Sequence, residues 1–411
     1  MVLVLDNRCQ SRYPIIMAEI FRIKTINRIA PEGLALFGPG FQVGPDIDNP
    51  HGIIVRSGGV DTDDYPDLLA VARAGAGVNN ITVEKATQQG ICVFNTPGAN
   101  ANAVAELLFA MLGVVMRHIH QGIDFCRELS GLDDEAITQA VESRKAKFRG
   151  IELAGKTLGV VGVGKIGVMV ANGGVLRQMK VVAFDPNPSI ENIHALSYDV
   201  KLTRNLGSVL QQADIVSIHV PLNRKTQGLV NREFIEQMRK GSTLINFSRG
   251  GIVDDGAVLA ALDKGKLDSY ITDFPNHDNL SHPRILTSPH LGASTEESEE
   301  NCACLAVSEL KNYLEYGTIS RSVNFPTVES IPSGSCLARL IMINRDIPGM
   351  IGFASNIIGS NGINIASYLN ESNGLIGYNI IDVESPIPPD VITQIENHPD
   401  VIRTRIMPCH S

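Results

Sequence analysis

The chain has 411 residues, 44% of them hydrophobic and 19% charged, which is the composition of a folded protein long enough for two or three domains. Its net charge of −9 excludes the broad basic surface that nucleic acids or membranes attract, so individual arginines would have to bind any anionic ligand. Seven scattered cysteines without a C-x-x-C pair exclude a recognisable disulfide framework and predict reduced thiols. No metal-ligand spacing and no signal peptide are evident, so we expect a cytoplasmic protein without a metal site.

The first third of the chain alternates short apolar segments with helical ones, a pattern that predicts a parallel sheet covered by helices. Strands or apolar segments are expected at residues 21–26, 52–57, 68–74 and 91–95. The apolar run at 103–116 is too short to span a bilayer and predicts a buried helix. Residues 117–155 are polar and helical and connect this part of the chain to the next.

A second series of strands follows, and its members are expected at residues 157–161, 181–184, 215–219, 242–246, 270–272 and 285–287. Strands of this kind separated by helices are typical of a doubly wound nucleotide-binding sheet. A helix at 296–316 is then expected to return to the first lobe, before a linker at 326–335 that is rich in Pro, Ser and Gly. The rest of the chain has the order βαββαβ, which predicts a separate small domain with an antiparallel sheet.

Nucleotide binding is indicated by the glycine motif GVGKIG at 162–167, which directly follows a predicted strand and opens a predicted helix. Gly162 permits the tight turn, Gly164 lets the backbone approach a pyrophosphate, and Gly167 lets helix and strand pack closely. Asp185 ends the next strand, where a carboxylate accepts hydrogen bonds from ribose hydroxyls and repels a 2′-phosphate. The motif therefore predicts binding of NAD in preference to NADP.

Two further residues indicate chemistry on a small hydroxy acid. Arg249 follows a predicted strand, at the edge where open α/β sheets bind ligands, and its guanidinium group suits a planar carboxylate. His290 follows the last strand of the series in the segment SPHLGA. Oxidation of an alcohol by hydride loss needs a base for the hydroxyl proton, and histidine can serve as one near neutral pH.

These segments together resemble the D-isomer-specific 2-hydroxyacid dehydrogenases. The likeness rests on the glycine motif with Asp185, on FSRGGIVD at 247–254 and on PHLGAST at 289–295. Supporting segments are RAGAGVNNI at 73–81, FNTPGANANAVAEL at 94–107, HVPLNRKTQG at 219–228 and TDFPN at 272–276. The segments NRDIPGMIG and GINIA, which begin at residues 344 and 362, resemble an ACT domain, a small regulatory domain that binds amino acids.

The resemblance implies an α/β fold with two doubly wound, Rossmann-like parallel-sheet domains, one of them split in sequence, and a small ferredoxin-like ACT domain. The substrate-binding domain would comprise residues 19–117 and 294–325, and the NAD-binding domain residues 118–293. A linker at 326–336 would lead to the ACT domain at 337–411. The active site would lie in the cleft between the two larger domains.

The resemblance also implies roles for individual residues. His290 would remove the hydroxyl proton, and Arg249 would hold the carboxylate. Counting without gaps from Arg249, the family's glutamate that hydrogen-bonds the histidine falls on Asp278, which either still reaches or leaves the histidine without its acid. The expected cofactor contacts are Gly162, Gly164, Lys165, Ile166, Gly167, Asp185, Val220, Pro221, Phe247, Ser248, Arg249, Asp273, His290 and Gly292.

On the substrate side, Arg56 and Ser57 match the family's RS loop, but Gly58 stands where some members carry a second arginine. Asn80 and Asn102 lie in the family's other substrate-side loops and are expected to be secondary contacts. Because Gly58 replaces that second arginine, the sequence supports a phosphate on the substrate less strongly than it supports the type of reaction.

In the ACT-like segment, Asn344, Asp346 and Asn364 fall where relatives bind L-serine between two domains, with Asp346 in place of an asparagine. The expected partners are therefore a small phosphorylated 2-hydroxy acid, L-serine and further copies of the chain in a homodimer or homotetramer.

The function that the resemblance implies is NAD-dependent oxidation of 3-phosphoglycerate to 3-phosphohydroxypyruvate, the first step of serine biosynthesis. One alternative is reduction of another 2-keto acid, such as 2-oxoglutarate or glyoxylate, which the glycine at position 58 keeps open. A second alternative is an NAD-sensing regulatory protein without turnover. Arg249 and His290 argue against it, because a sensor needs neither a carboxylate clamp nor a base.

Overall fold

The computed structural model describes residues 20–409 of the chain. The Cα positions divide into two compact units. One, here called the split unit, contains the described residues 20–96 and 302–409. The other, here called the central unit, is continuous and contains Pro97–Asn301.

The first part of the split unit contains a parallel sheet with strand order β2-β1-β3-β4-β5. Its strands are β1 (Phe21–Ile26), β2 (Phe41–Gly44), β3 (Gly52–Val55), β4 (Ala70–Arg73) and β5 (Cys92–Phe94). Two short helices, α1 (Pro31–Leu34) and α2 (Val83–Gln88), connect them. Strand β3 is buried along its whole length, as expected for a central strand that is covered on both faces.

The central unit contains a second parallel sheet, with strand order β12-β11-β10-β9-β6-β7-β8. Its strands are β6 (Thr157–Val161), β7 (Lys180–Phe184), β8 (Val200–Thr203), β9 (Ile215–Ile218), β10 (Ser242–Asn246), β11 (Leu267–Thr272) and β12 (Ile285–Thr287). The order reverses at β6 and β9, so both strands point their carboxyl ends at the switch point of a doubly wound sheet.

Helices precede this second sheet and alternate with its strands. They are α3 (Ala101–Met116), α4 (Ile119–Glu128), α5 (Asp134–Arg144), α6 (Lys165–Leu176), α7 (Ile190–Ala195), α8 (Leu206–Gln212), α9 (Arg232–Gln237) and α10 (Asp255–Asp263). Several begin with a side chain that accepts a backbone N–H, such as Asp133 for α5 and Asp254 for α10.

The chain then crosses into the split unit along the helix α11 (Glu296–Tyr316) and ends in an antiparallel sheet. This C-terminal sheet has strand order β14-β15-β13-β16 and consists of β13 (Ala338–Arg345), β14 (Ile365–Ser372), β15 (Ile376–Val383) and β16 (Val401–Pro408). One face packs against α12 (Met350–Ser360) and α13 (Pro389–Glu396). The other face shares one hydrophobic core with the five-stranded sheet, through residues such as Ile341 and Tyr378.

The C-terminal sheet also caps the end of α11. The last carbonyl groups of a helix lack partners within the helix, and guanidinium groups satisfy them well. Arg405 of β16, Arg339 of β13 and Tyr378 of β15 supply these donors, over 2.7–3.0 Å. The acceptors are the carbonyl oxygens of Tyr313, Leu314, Tyr316 and Gly317. The sheet is therefore joined to α11 by polar as well as apolar contacts.

The linker is fixed to the same sheet. Arg339 is 1% exposed and forms a bidentate ion pair with Asp382, with N–O distances of 2.7 and 3.0 Å. It also donates to the carbonyl oxygen of Ser330, and the Ser333 N–H donates to Asp382. The segment that the sequence predicted as a linker is therefore held in place at several points.

One prediction about the cysteines was wrong. Cys336 and Cys409 form a disulfide with Cα atoms 5.7 Å apart, where the sequence predicted reduced thiols. Cys336 precedes β13 and Cys409 follows β16. The two strands are antiparallel and Ala338 lies opposite Pro408, so both cysteines lie at the same end of the strand pair. The two cysteines are separated by 73 positions, so their approach follows from the strand pairing and cannot be read from local spacing.

The predicted fold class is confirmed, and most predicted strands lie within a residue or two of the observed ones. β1, β6, β10 and β12 agree at both ends. The sequence analysis missed β2 and β8, which are four-residue strands at the edges of their sheets. Edge strands are only partly buried, so they lack the continuous apolar run that marked the central strands.

Among the described residues, no single helix is long and apolar enough to cross a membrane. The pair α3 and α4 passes that test only when both helices are counted together across a bend of 59°.

We predict that Arg339→Met lowers the free energy of unfolding by about 3–5 kcal/mol, because it leaves the Asp382 carboxylate buried without its counter-ion. Arg345→Met is the matched control. Arg345 lies on the same strand, but its 3.4 Å pair with Asp400 is exposed, so its loss should cost less than about 1 kcal/mol. Urea unfolding followed by circular dichroism measures both, and equal losses would contradict the assignment of Arg339 as a buried hub.

Candidate functional site

The glycine turn between β6 and α6 has the geometry that the motif predicted. Gly162 has a φ of +99°, and a Cβ atom there would lie 2.5 Å from the carbonyl oxygen of His219. A Cβ atom on Gly167 would overlap the carbonyl oxygen of Gly162. Gly164 has no atom within 4 Å of a Cβ position, so its surface is open. The predicted tight turn and close packing are confirmed, and the open face is the one available to a phosphate.

Asp185 lies beside this turn at the end of β7. One of its oxygens accepts the Val163 N–H at 2.8 Å, and the other accepts the Asn187 N–H at 2.9 Å. Asn192 donates to the carbonyl oxygen of Val163, which holds the turn from a second direction. Each carboxylate oxygen retains a second lone pair for a ribose hydroxyl. Lys165 and Ile166 are the first residues of α6.

His219 is a residue that the sequence analysis did not select. It follows β9 beside the glycine turn, its Nε2 atom lies 2.8 Å from Ser217 Oγ, and its buried Nδ1 atom has no hydrogen-bond partner among the described residues. Burial lowers the pKa of His219 to about 3, so the ring is neutral at physiological pH. Its position at the carboxyl end of a central strand was the available signal. Val220 and Pro221, both predicted cofactor contacts, follow it directly.

Arg249 lies in the loop after β10, as predicted. The Asn246 side chain donates to the Arg249 carbonyl oxygen at 2.9 Å, and Ser248 Oγ donates to Ile218 of the neighbouring strand at 2.7 Å. Phe247 is buried, so the loop is anchored on both sides of an exposed Arg249 side chain. Arg249 Nη1 donates to the Ser248 carbonyl oxygen, and the guanidinium group has four further N–H donors.

His290 is exposed in the loop after β12 and packs on Phe274 with ring centroids 4.9 Å apart. Asp273 lies beside them at the end of β11 and is fully buried. Its Oδ2 atom accepts the Gly292 N–H at 3.3 Å, and its Oδ1 atom has no hydrogen-bond partner among the described residues. Burial raises the pKa of Asp273, and the charges of His290 and Arg249 oppose that rise. The structure therefore brings Arg249, Asp273 and His290 together.

Asp278 is not part of this group. It is exposed, and its backbone N–H donates to the Asn276 side chain in a tight turn. Its carboxylate makes no hydrogen bond or ion pair with His290 or with any other residue in the described part of the chain. The assignment of Asp278 as the acid that acts on His290 therefore stays a prediction.

The RS loop lies in the split unit, after β3. Asn27, which follows β1 with a φ of +70°, accepts the backbone N–H groups of Ser57 and Gly58 at 3.0 and 2.6 Å. Asn80 donates to the Gly58 carbonyl oxygen at 2.7 Å, so this predicted substrate contact holds the loop itself. Asn27 was missed, although asparagine after a strand is a common signal for a left-handed backbone.

Asn102 is in the central unit, at the second position of α3, and donates to Glu106 at 2.8 Å. Its side chain is exposed.

The predicted allosteric residues lie at opposite ends of the C-terminal sheet. Asn344 pairs with Gly377, and Asp346 follows just beyond that end, where it accepts a hydrogen bond from Ser372. Asn364 precedes β14 at the other end and donates to Glu384. Six residues of strand, about 20 Å, separate the two ends, so one copy of the chain does not bring the three residues together.

Residues 111–292 match the sequence profile of the D-isomer specific 2-hydroxyacid dehydrogenase NAD binding domain. The chain is also 31% identical over 353 residues to a protein of Haemophilus influenzae, an alignment that covers 83% of this chain and 82% of that protein. The chain therefore belongs to the D-isomer specific 2-hydroxyacid dehydrogenases. The Haemophilus relative is a D-3-phosphoglycerate dehydrogenase.

Two further relatives carry the same name. The Bacillus subtilis D-3-phosphoglycerate dehydrogenase is 35% identical over 286 residues, which is 67% of this chain and 52% of that protein. This chain spans about half the length of that protein and of other curated relatives that it matches. The NAD-bound 3-phosphoglycerate dehydrogenase of Entamoeba histolytica superposes with a TM-score of 0.57 at 26% identity, covering 74% of this chain and 98% of that one.

We predict that His219 makes the protein sensitive to mild acid. Between pH 6.5 and about 3 the unfolded chain binds a proton at this residue and the folded chain does not, so stability falls as the pH falls through this window. His219→Gln should reduce that dependence by up to about 1.4 kcal/mol per pH unit. Unfolding in urea at several pH values measures the slope. The same substitution at exposed His277 is the control, and equal slopes in both variants would refute the prediction.

Proposed function

We propose that this protein oxidises 3-phosphoglycerate to 3-phosphohydroxypyruvate with NAD, the first step of serine biosynthesis. The proposal rests on the group formed by Arg249, Asp273 and His290. The buried carboxylate of Asp273 interacts electrostatically with the imidazole of His290 and the guanidinium group of Arg249. The names of the Haemophilus, Bacillus and Entamoeba relatives support the choice of substrate.

NAD fits the residues of the central unit. The open face of Gly164 and the N-terminus of α6 suit a pyrophosphate, and Asp185 suits a ribose diol. The buried Oδ1 atom of Asp273, which lacks a partner among the described residues, suits a donor such as the cofactor's carboxamide. The other proposed cofactor contacts lie in the loops and the helix that follow the strands of the central sheet. They are Lys165, Ile166, Val220, Pro221, Phe247, Ser248 and Gly292.

When bound, NAD supplies the acceptor for the hydride that leaves the carbinol carbon. His290 accepts the hydroxyl proton as that carbon becomes a carbonyl carbon, and it returns the proton in the reverse direction. Arg249 pairs with the carboxylate of the substrate and stabilises charge on the neighbouring oxygen. Asp273 fixes the loop of His290 through the Gly292 N–H, which limits the positions that the imidazole can take. Asp278 is retained as a second candidate for the acid.

On the substrate side we propose Arg56 and Ser57 as contacts to the phosphate, and Asn80 and Asn102 as secondary contacts. Asn80 acts indirectly, because its amide already holds the Gly58 carbonyl. We also retain the predicted domain limits, 19–117 with 294–325, 118–293 and 337–411, and a cytoplasmic location.

A reductase of another 2-keto acid is the second candidate function. It is favoured by Gly58, which cannot supply the second cation that a phosphate would use.

Regulation by L-serine and assembly into a homodimer or homotetramer form one further proposal. Asn344 and Asp346 lie at one end of the C-terminal sheet and Asn364 at the other, so a serine site that uses all three needs two copies of the chain. A separate open groove of about 550 Å³ lies between α4 and α5 and is lined by apolar side chains, including Ile119, Ile123 and Phe148. Such a groove suits a second copy of the chain.

We predict that the wild-type protein reduces NAD with 3-phosphoglycerate and that His290→Asn abolishes turnover. The asparagine cannot accept the proton, so kcat should fall by about 10²–10⁴-fold. NADH absorbance measures the rate, and quenching of NADH fluorescence measures cofactor binding, which the variant should keep. Glycerate and 2-hydroxyglutarate are the comparison substrates. Faster turnover of either would favour the second candidate function, and full activity of the variant would refute the assignment of His290.

We predict that L-serine inhibits the wild-type oligomer and that Asn364→Ala is insensitive to it. The side-chain amide of Asn364 is exposed, and its one hydrogen bond among the described residues is to Glu384, so its loss should not unfold the sheet. Activity at millimolar serine, with the mass determined by light scattering, tests both parts. A monomeric wild type that serine still inhibits would refute the shared site, and Asn361→Ala, on the exposed end of α12, serves as the control.

A further inference from the structure

Three arginines lie at the carboxyl edge of the five-stranded sheet. The neighbouring parallel strands β1, β3 and β4 pair Ile26 with Val55 and Val55 with Arg73. Arg56 therefore follows β3 beside Arg73, and Arg28 follows β1 two residues after Ile26. Neighbouring strands are about 5 Å apart, so these three backbone positions lie close together. In a chain with a net charge of −9, this edge concentrates positive charge.

The backbone of the RS loop cannot bind an anion by itself. Its N–H groups at Ser57 and Gly58 already donate to Asn27 Oδ1. The carbonyl oxygens of Arg56 and Gly58 accept hydrogen bonds from Arg73 Nε and Asn80 Nδ2. The N–H groups of Ser57 and Gly58 are therefore already used, and the cationic donors at this edge are arginine side chains.

Position 58 cannot supply such a side chain. A Cβ atom on Gly58 would lie 2.6 Å from Ile26 Cγ2 and 3.1 Å from Asn27 Oδ1. The same Asn27 that occupies this space turns the chain with its positive φ and is followed directly by Arg28. The turn at Asn27 therefore leaves no space for a cationic side chain at position 58 after β3, and Arg28 follows the same turn after β1.

Arg28 is available for a ligand. Its side chain is exposed and makes no hydrogen bond or ion pair with another residue in the part of the chain that the structure describes. Two of the acids that follow the loop, Asp61 and Asp63, pair with Lys85 at 3.2 and 2.7 Å. An arginine that lacks a counter-ion among the described residues, at the same sheet edge as Arg56, presents donors that match a phosphate or a carboxylate.

We infer that Arg28 is a specificity-determining residue that binds, together with Arg56, the anionic group at the end of the substrate remote from the reacting carbon. This inference rests on the proposed function. It assigns that group as the phosphate of 3-phosphoglycerate, for which a terminal carboxylate is the alternative source of the same chemistry. Arg73 positions Arg56 through its bond to the Arg56 carbonyl oxygen.

The test compares the full-length wild type with Arg28→Gln and Arg28→Lys. For Arg28→Gln, kcat/KM for 3-phosphoglycerate should fall by about 10- to 100-fold, mostly through KM, as expected for the loss of charged hydrogen bonds. Turnover of glycerate, which lacks the anionic end, should change by less than about 3-fold, and the lysine variant should recover part of the loss. Arg232→Gln removes the same charge from an exposed helix of the central unit and is the matched control.

Calorimetric binding of inorganic phosphate to the same proteins gives a readout that needs no turnover. Loss of phosphate binding in Arg28→Gln, but not in Arg232→Gln, supports the inference whichever acid the enzyme prefers. A wild type that oxidises glycerate as fast as 3-phosphoglycerate overturns the proposed function alone. Unchanged kcat/KM for 3-phosphoglycerate in Arg28→Gln overturns the inference alone, and so does a loss confined to 2-hydroxyglutarate.

Discussion

The parallel order of two sheets is the constraint on which the proposed site depends. All strands of a parallel sheet end at one edge, so residues that are far apart in the sequence emerge side by side. In the central unit this edge carries the glycine turn after β6, Asp185 after β7, Arg249 after β10 and Asp273 after β11. In the split unit it carries Arg28, Arg56 and Arg73. The strands are buried and apolar, and the chemistry lies in the loops just beyond them.

Several polar side chains at these sheet edges form hydrogen bonds with the backbone of neighbouring loops. Asn27, Asn80 and Asn246 each bond to main-chain atoms of a loop that carries an arginine. Such bonds stabilise loop conformations that would otherwise be costly, and the proposed substrate contacts are made by the side chains that these loops carry. Asp273 has both functions, since one oxygen holds the loop of His290 while the other lacks a partner among the described residues.

The C-terminal sheet contributes differently. It caps α11 with two arginines and a tyrosine, and it shares its apolar face with the five-stranded sheet. A domain attached in this way is coupled to α11 through directional bonds whose geometry is sensitive to movement of the sheet. α11 begins at Glu296, a few residues after His290 in the sequence.

Much of this protein was determined by the sequence itself. Periodicity and glycine spacing predicted the strands, the turn at Gly162 and the positions of Arg249 and His290, because these depend on local backbone geometry and on burial of apolar runs. Only the tertiary structure decided that Asp273 is buried and accepts a hydrogen bond from Gly292, two residues after His290, while Asp278 lies exposed in a turn. It also decided that Cys336 meets Cys409, that a side chain at Gly58 would overlap Ile26, and that Arg28 and Arg56 follow neighbouring strands at one sheet edge. Each of these results depends on contacts between distant segments, which strand pairing creates and local sequence does not encode.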